Sequence, residues 1–222
     1  ILGAWLEEIF AGPLDQVFAD KVAWPLGLDG GEPARLGYRR LTAARGPSPA
    51  VAPRVAPTEV YDRALHPGEA PSYFGIRERD RLAHAEVHDD NCFAMGGVAG
   101  HAGLFGDAEA ALAVAEAWLS GGLPGLSRAT AARFWAASPV PGSTRRLGWD
   151  GVTPGGATGD ALSSGAVGHL GFTGTSVWID PALGAIYVLL SNRVHPRREQ
   201  PAIAGLRASF HRLAAQLAAA AG

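Results

Sequence analysis

The sequence predicts a mixed α/β protein of the α+β type, an antiparallel sheet flanked by helices. Three observations carry the prediction. Two almost wholly apolar runs, Val177-Trp178-Ile179 and Ala185-Ile186-Tyr187-Val188-Leu189-Leu190, are joined by Asp180-Pro181-Ala182-Leu183-Gly184. Proline suits the second position of a type I turn and glycine the residue that must take positive φ, so the pair reads as a β-hairpin. Continuous apolar strands require cover on both faces. Segments with helical spacing lie on either side of the hairpin in sequence, and the last of them, from Pro201, should cross one face of the sheet.

In chain order, Leu2, Trp5, Leu6 and Ile9 have helical spacing and Gly12-Pro13 stops them. A second helix is expected from Leu14 to Val22, with Val17 and Phe18 inward. Asp29 to about Gly75 is rich in Pro, Gly, Ala and Arg without a period. It predicts a long surface excursion, with short strands near Tyr38–Leu41 and Val55–Thr58. Leu36, Tyr38, Val60, Tyr61, Tyr73 and Phe74 recur through it, which argues against an interdomain linker. Gly96-Gly97-Val98-Ala99-Gly100-His101-Ala102-Gly103 describes a loop of unusual dihedral angles. Asp107 suits the start of a helix to about Ser120, with Leu112, Ala115, Trp118 and Leu119 buried and Gly121-Gly122 ending it. Ser127 caps a shorter helix, and Arg146–Asp150 opens a strand. The final helix is expected to bury Ile203, Leu206, Phe210, Leu213 and Leu217.

Composition excludes several roles. A net charge of -2 gives no basis for a nucleic-acid partner, and the Ala-rich tail is interrupted by Arg212 and Gln216, so no membrane-spanning segment is expected. Cys92 is the single cysteine, which rules out an internal disulfide. Lys21 is the single lysine and so the one candidate for any lysine chemistry. The chain does not begin with methionine, and Ile1–Leu6 has the pattern of a helix interior, so a portion of a longer protein is expected. The compartment stays open between bacterial periplasm and cytoplasm. His84-Ala85-Glu86-Val87-His88 is not His-Glu-x-x-His, and no metal or other cofactor is expected.

The order helix, Gly-rich loop, helix, Leu147-Gly148-Trp149 strand, then Gly168-His169-Leu170-Gly171-Phe172-Thr173-Gly174-Thr175-Ser176 resembles the β-lactamase-related serine hydrolases, which include class C β-lactamases, penicillin-binding proteins and esterases. The resemblance implies that residues 1–222 are the C-terminal portion of a single β-lactamase/transpeptidase-like domain. It also implies an acyl-enzyme mechanism on an ester, amide or β-lactam, such as a peptidoglycan-like peptide. His169-Leu170-Gly171 falls at the family's Lys-Thr-Gly box. His169 would act as proton acceptor or carboxylate partner, since a histidine ordinarily titrates near pH 6.5. The amide of Phe172 would be an oxyanion donor. Gly171, Thr173, Gly174, Thr175, His88, Asn91 and His101 would line the substrate. For His88 and His101, hydrogen-bonding support behind the site is an equal alternative, and without the family pattern His169 would be a structural histidine.

The departures are specific. No Ser-x-x-Lys occurs, because Phe18 stands three residues before Lys21. No Tyr-x-Asn occurs either; Tyr38, Tyr61, Tyr73 and Tyr187 are followed two residues on by Arg40, Arg63, Gly75 and Leu189. The resemblance places both boxes upstream, so the partner this chain needs is the upstream part of the same protein, and the chain alone is expected to be inactive. Leu170 replaces the box threonine and removes a hydroxyl that would bind a substrate carboxylate. A non-catalytic module holding a cell-wall ligand or a protein partner is the alternative.

Overall fold

The computed structural model describes residues 1–30, 35–41, 51–61 and 81–221. The chain divides into two compact units, one of residues 1–107 with 192–199 and one of residues 108–191 with 200–222.

In the first unit, α1 (Leu2–Phe10) ends at Ala11, in the left-handed region with φ 50°, just before Gly12-Pro13. Its apolar residues Leu2, Trp5 and Ile9 are exposed. The second helix is shorter than expected: α2 (Leu14–Phe18) widens into a π-turn over Ala19–Ala23 and tightens into a 3₁₀ turn over Trp24–Leu26. Pro25 explains why the ladder does not run on past Trp24, since it has no N–H to donate back to Lys21. Leu14 and Val17 are buried, and Phe18 meets the Tyr38 ring edge-on at 5.7 Å.

Strand β1 (Leu36–Tyr38) pairs antiparallel with β4 (Leu104–Gly106), and β2 (Val60–Tyr61) with β3 (Arg81–Leu82). The two short strands therefore sit a few residues from where the sequence pointed. Around Val55–Thr58 the ladder begins only after Pro53 and Pro57, which lack an N–H to donate. Tyr61 is fully buried, while Tyr73 and Phe74 lie outside the described residues. A one-and-a-half-turn helix, α3 (Asp90–Ala94), precedes the glycine-rich loop, with Asp89 as its cap. The glycines behind it do take left-handed φ, +91° at Gly97 and +108° at Gly103. A methyl group at Gly97 would stand 2.5 Å from the Arg39 carbonyl oxygen.

The second unit is a four-stranded antiparallel sheet in the order β5 (Asp150–Gly151), β6 (Val167–Leu170), β7 (Ser176–Asp180), β8 (Ala185–Leu189). The β7–β8 hairpin is closed by the Leu183 amide on the Asp180 carbonyl at 3.2 Å, with Gly184 at φ 59°. The β7 residues alternate between two cores. Trp178 packs with Tyr187, Leu162 and Ala166 against Ala215 of α6 (Ile203–Ala221). Ile179 packs with Val167 against Ala115 of α4 (Ala108–Ser120), where Trp118 and Trp135 fill in. Helix α5 (Arg128–Trp135) is capped as expected, the Thr130 amide donating to Ser127 Oγ at 3.1 Å. Both faces of the hairpin strands are thus covered by helices.

Helix α6 is rotated from the expected face. Leu206, Leu213 and Leu217 are exposed, and the residues turned inward are Arg207, His211 and Ala215. The reason is space: the sheet face already carries Trp178 and Tyr187, leaving room for alanines, while the two polar side chains find hydrogen-bond partners there. Within α4 the small residues Ala110, Ala115 and Ala117 are the buried ones, and Leu112 lies at the surface.

Candidate active site

The Gly168–Ser176 stretch folds as a hairpin of its own. His169 stands third in β6, opposite Val177 of β7, and Leu170 pairs with Ser176. Residues 171–175 form the tight turn between them. The Gly171 amide donates to the Thr175 carbonyl at 2.8 Å, and the Gly174 amide to the Gly171 carbonyl at 3.0 Å. Gly174 takes φ +118°, and a Cβ at Gly171 would collide with Thr175 Oγ1. The turn itself therefore demands glycine at 174, while a side chain at 171 would have to displace the Thr175 hydroxyl. Gly168 is demanded by packing, since a Cβ there would enter the Trp178 ring.

His169 is exposed, with Nδ1 3.0 Å from the Leu170 carbonyl oxygen. A carbonyl only accepts, so that contact puts the proton on Nδ1 and leaves Nε2 as the basic nitrogen of the neutral ring. The Phe172 side chain is exposed, and Thr173 and Thr175 are half-buried. Leu170 packs against the Trp178–Tyr187 core.

From behind, the turn is held by side chains that sequence patterning does not mark. Arg207 Nη2 donates to the carbonyls of Gly171 and Thr175, each at 2.7 Å, and Ser191 Oγ donates to the Gly174 carbonyl at 2.7 Å. His211 is fully buried, with Nε2 3.0 Å from Ser176 Oγ. Burial pushes the His211 pKa down to about 4, with the Arg207 charge adding to the effect. The i, i+4 spacing of Arg207 and His211 places both on one face of α6, the single signal in the sequence for this pair.

The remaining candidates lie in the first unit. His88 is buried, its Nε2 2.8 Å from Oε2 of Glu59, which is itself fully buried. Arg198 donates to both Glu59 oxygens, through Nε at 3.0 Å and Nη2 at 2.6 Å. Burial alone would raise the Glu59 pKa, but the His88 and Arg198 contacts outweigh it and hold the carboxyl below its ordinary value. His101 is exposed, with Nε2 2.9 Å from Asp89 Oδ1, the oxygen that also accepts from the Cys92 amide. Burial works against ionised Asp89, yet the Cys92 amide and His101 hold its pKa below the usual range. Asn91 is exposed on α3. Ser163, which no Gly-x-Ser-x-Gly elbow surrounds, donates its hydroxyl to buried Asp180 at 2.6 Å. Among the described residues no group of three or more His, Cys, Asp or Glu side chains could hold a metal ion. No helix of the described residues is long and apolar enough to cross a membrane.

A sheet carrying a His-x-Gly strand end and a glycine turn, covered by helices on both faces, defines a class, and sequence comparison names it. Residues 1–211 match the beta-lactamase family model, and the chain belongs to that family. It is similar to proteins named "Putative D-alanyl-D-alanine carboxypeptidase" from Salmonella gallinarum and Salmonella typhi, 32% identical in each case across 91% of this chain and 45% of theirs. The chain thus spans a little under half the length of these curated relatives. Among solved structures it is similar in fold to a mutant of simvastatin synthase (LovD) from Aspergillus terreus, with TM-score 0.60, 16% identity, and 98% of this chain and 53% of that one covered. It is also similar to EstCE1, described as a hydrolase with promiscuous acyltransferase activity, with TM-score 0.51, 25% identity, and 96% and 53% covered.

Proposed function

We propose that these residues are one part of a single serine-hydrolase domain that acts on an ester or amide through an acyl-enzyme, with the nucleophilic serine outside the 222 residues. The observation that carries the reading is the family match over residues 1–211 in a chain without Ser-x-x-Lys. The share of the relatives that the chain spans, 45%, supports a nucleophile contributed from elsewhere in the protein.

In this reading the serine oxygen attacks the substrate carbonyl. The negative charge then falls on the carbonyl oxygen, where the Phe172 amide donates to it. A preorganised donor of that kind is worth about 3 kcal/mol in the transition state. His169 accepts or returns a proton through Nε2, or pairs with a substrate carboxylate when charged. The C–N or C–O bond breaks, the leaving group takes a proton, and water later cleaves the acyl-serine ester. Gly171, Thr173, Gly174 and Thr175 form the strand-side wall.

His101 and Asn91, both exposed, are the first-unit candidates for substrate contact. His88 is assigned instead to support, because its ring is buried against Glu59. The curated relatives' name puts a D-alanyl-D-alanine peptide first among substrates, while Leu170, with no hydroxyl to offer, weighs against recognition of a carboxylate, a β-lactam's or a peptide terminus's alike, and keeps an ester beside it.

The test is turnover by the complete protein of a D-alanyl-D-alanine peptide and of p-nitrophenyl butyrate. Hydrolysis of either, lowered at least tenfold by His169→Ala, supports the reading. Turnover of neither would leave a binding module, the alternative that Leu170 also motivates.

A further inference from the structure

The peptide joining Gly171 to Phe172 is trans and planar, so its carbonyl and its N–H point in opposite directions. Fixing the Gly171 oxygen therefore aims the Phe172 N–H. The Gly171 oxygen accepts from the Gly174 amide inside the turn and from Arg207 Nη2 outside it. The same Arg207 nitrogen holds the Thr175 carbonyl, so one guanidinium ties the first residue of the turn to the last. Arg207 is only 8% exposed, which makes this a fixed contact rather than a surface one. One helical turn later His211 holds Ser176, the residue that follows the turn. The polar face of α6 is thus spent on a single feature, while its leucines stay outside.

We infer that Arg207 is a positioning residue for the oxyanion donor: its hydrogen bond to the Gly171 carbonyl orients the Phe172 amide and makes it a stronger donor. The strengthening follows from cooperativity, because a cation bonded to a peptide oxygen draws electron density from the N–H of the same peptide unit. The inference rests on the assignment of the Phe172 amide in the proposed function. It adds a residue 36 positions from Gly171 in sequence that acts through the turn.

The experiment uses the complete protein with Arg207→Ala, Arg207→Gln and Arg207→Lys, folding being checked by circular dichroism. Two readouts are taken from each variant: steady-state kinetics, and amide exchange at Gly171 and Gly174, the two N–H groups that close the turn. Arg207→Ala is expected to lower kcat about 10- to 100-fold with KM changed less than twofold, because an oxyanion contact is made in the transition state. Exchange at the two glycines should quicken at least tenfold. Lysine, whose ammonium can serve both carbonyls, should restore kcat to within about threefold. If Arg207→Ala does not fold, Arg207→Gln, which keeps most of the side chain's volume, decides the matter with the same expected losses. Unchanged exchange at Gly171 and Gly174 in a folded variant overturns the inference whatever the kinetics. Faster exchange with unchanged kcat overturns it too, since the turn would then be held without serving catalysis. A wild-type protein without turnover defeats the proposed function, and the exchange measurement still decides whether Arg207 holds the turn.

Discussion

Glu59 and Arg198, 139 positions apart, meet as a bidentate ion pair in which the carboxylate is fully buried. His88 completes the arrangement from a third segment. Breaking such a pair from one side leaves a charge in the interior, which costs about 3–5 kcal/mol, more than the intact pair adds over an apolar replacement. Glu59→Ala and Arg198→Ala should therefore each destabilise the protein by roughly 3 kcal/mol in urea unfolding. Acid should act on the same point. The Glu59 pKa is lowered in the fold, so its contribution is present above the ordinary value of 4.5 and is lost as pH falls through the folded value. Glu59→Gln should flatten that part of the acid-unfolding curve; an unchanged curve contradicts the assignment.

A second acid-sensitive group is His211. Its ring stays neutral to about pH 4 in the fold, whereas an unfolded histidine takes up its proton near pH 6.5. Its contribution is complete above about pH 6.5 and disappears between there and about 4, a loss of about 3 kcal/mol at most. Proton-detected titration of the ring should give a midpoint near 4. A midpoint near 6.5 would mean that the ring is not sealed between α6 and the sheet.

Gly168 predicts a sharp local contrast. A Cβ at this position would enter the Trp178 ring and stand 2.5 Å from the Val177 carbonyl oxygen, while one at Gly165 would meet nothing closer than Ser163 Oγ at 3.9 Å. Gly168→Ala should cost about 1–3 kcal/mol through overpacking, and Gly165→Ala should be close to neutral. Equal effects in thermal unfolding would show that β6 and β7 are not packed as described.

How far the sequence reaches can be judged from particular residues. The β7–β8 hairpin is legible because Asp180-Pro181 and Gly184 encode the turn chemically, and the α5 start is legible in Ser127 for the same reason. The rotation of α6 is not. Leu206, Leu213 and Leu217 carry the stronger apolar signal, but periodicity only says that a helix has faces; the sheet residues already in place decide which one fits. Strand β6 is hard to read as a strand of its own because Gly168 breaks its apolar pattern, although the glycine is there to admit Trp178. In the candidate site, His169 and the glycines of the turn could be read from a local motif. Glu59, Arg198 and Arg207 could not, since each acts on a partner at least 29 residues away and nothing in one chain's spacing reports such a contact.

The 222-residue chain by itself should hydrolyse neither nitrocefin nor p-nitrophenyl butyrate, because no serine in it stands in a Ser-x-x-Lys setting and Ser163 is bonded to Asp180. Turnover by the purified chain that disappears in His169→Ala would show that the nucleophile is within it.

The most direct measurement is covalent labelling of the complete protein with a fluorophosphonate probe, followed by mass-spectrometric mapping of the adduct. The account predicts one modified serine, lying outside these 222 residues in a Ser-x-x-Lys sequence, with labelling slowed by His169→Ala. No adduct, or an adduct on Ser163 or Ser164, would contradict it.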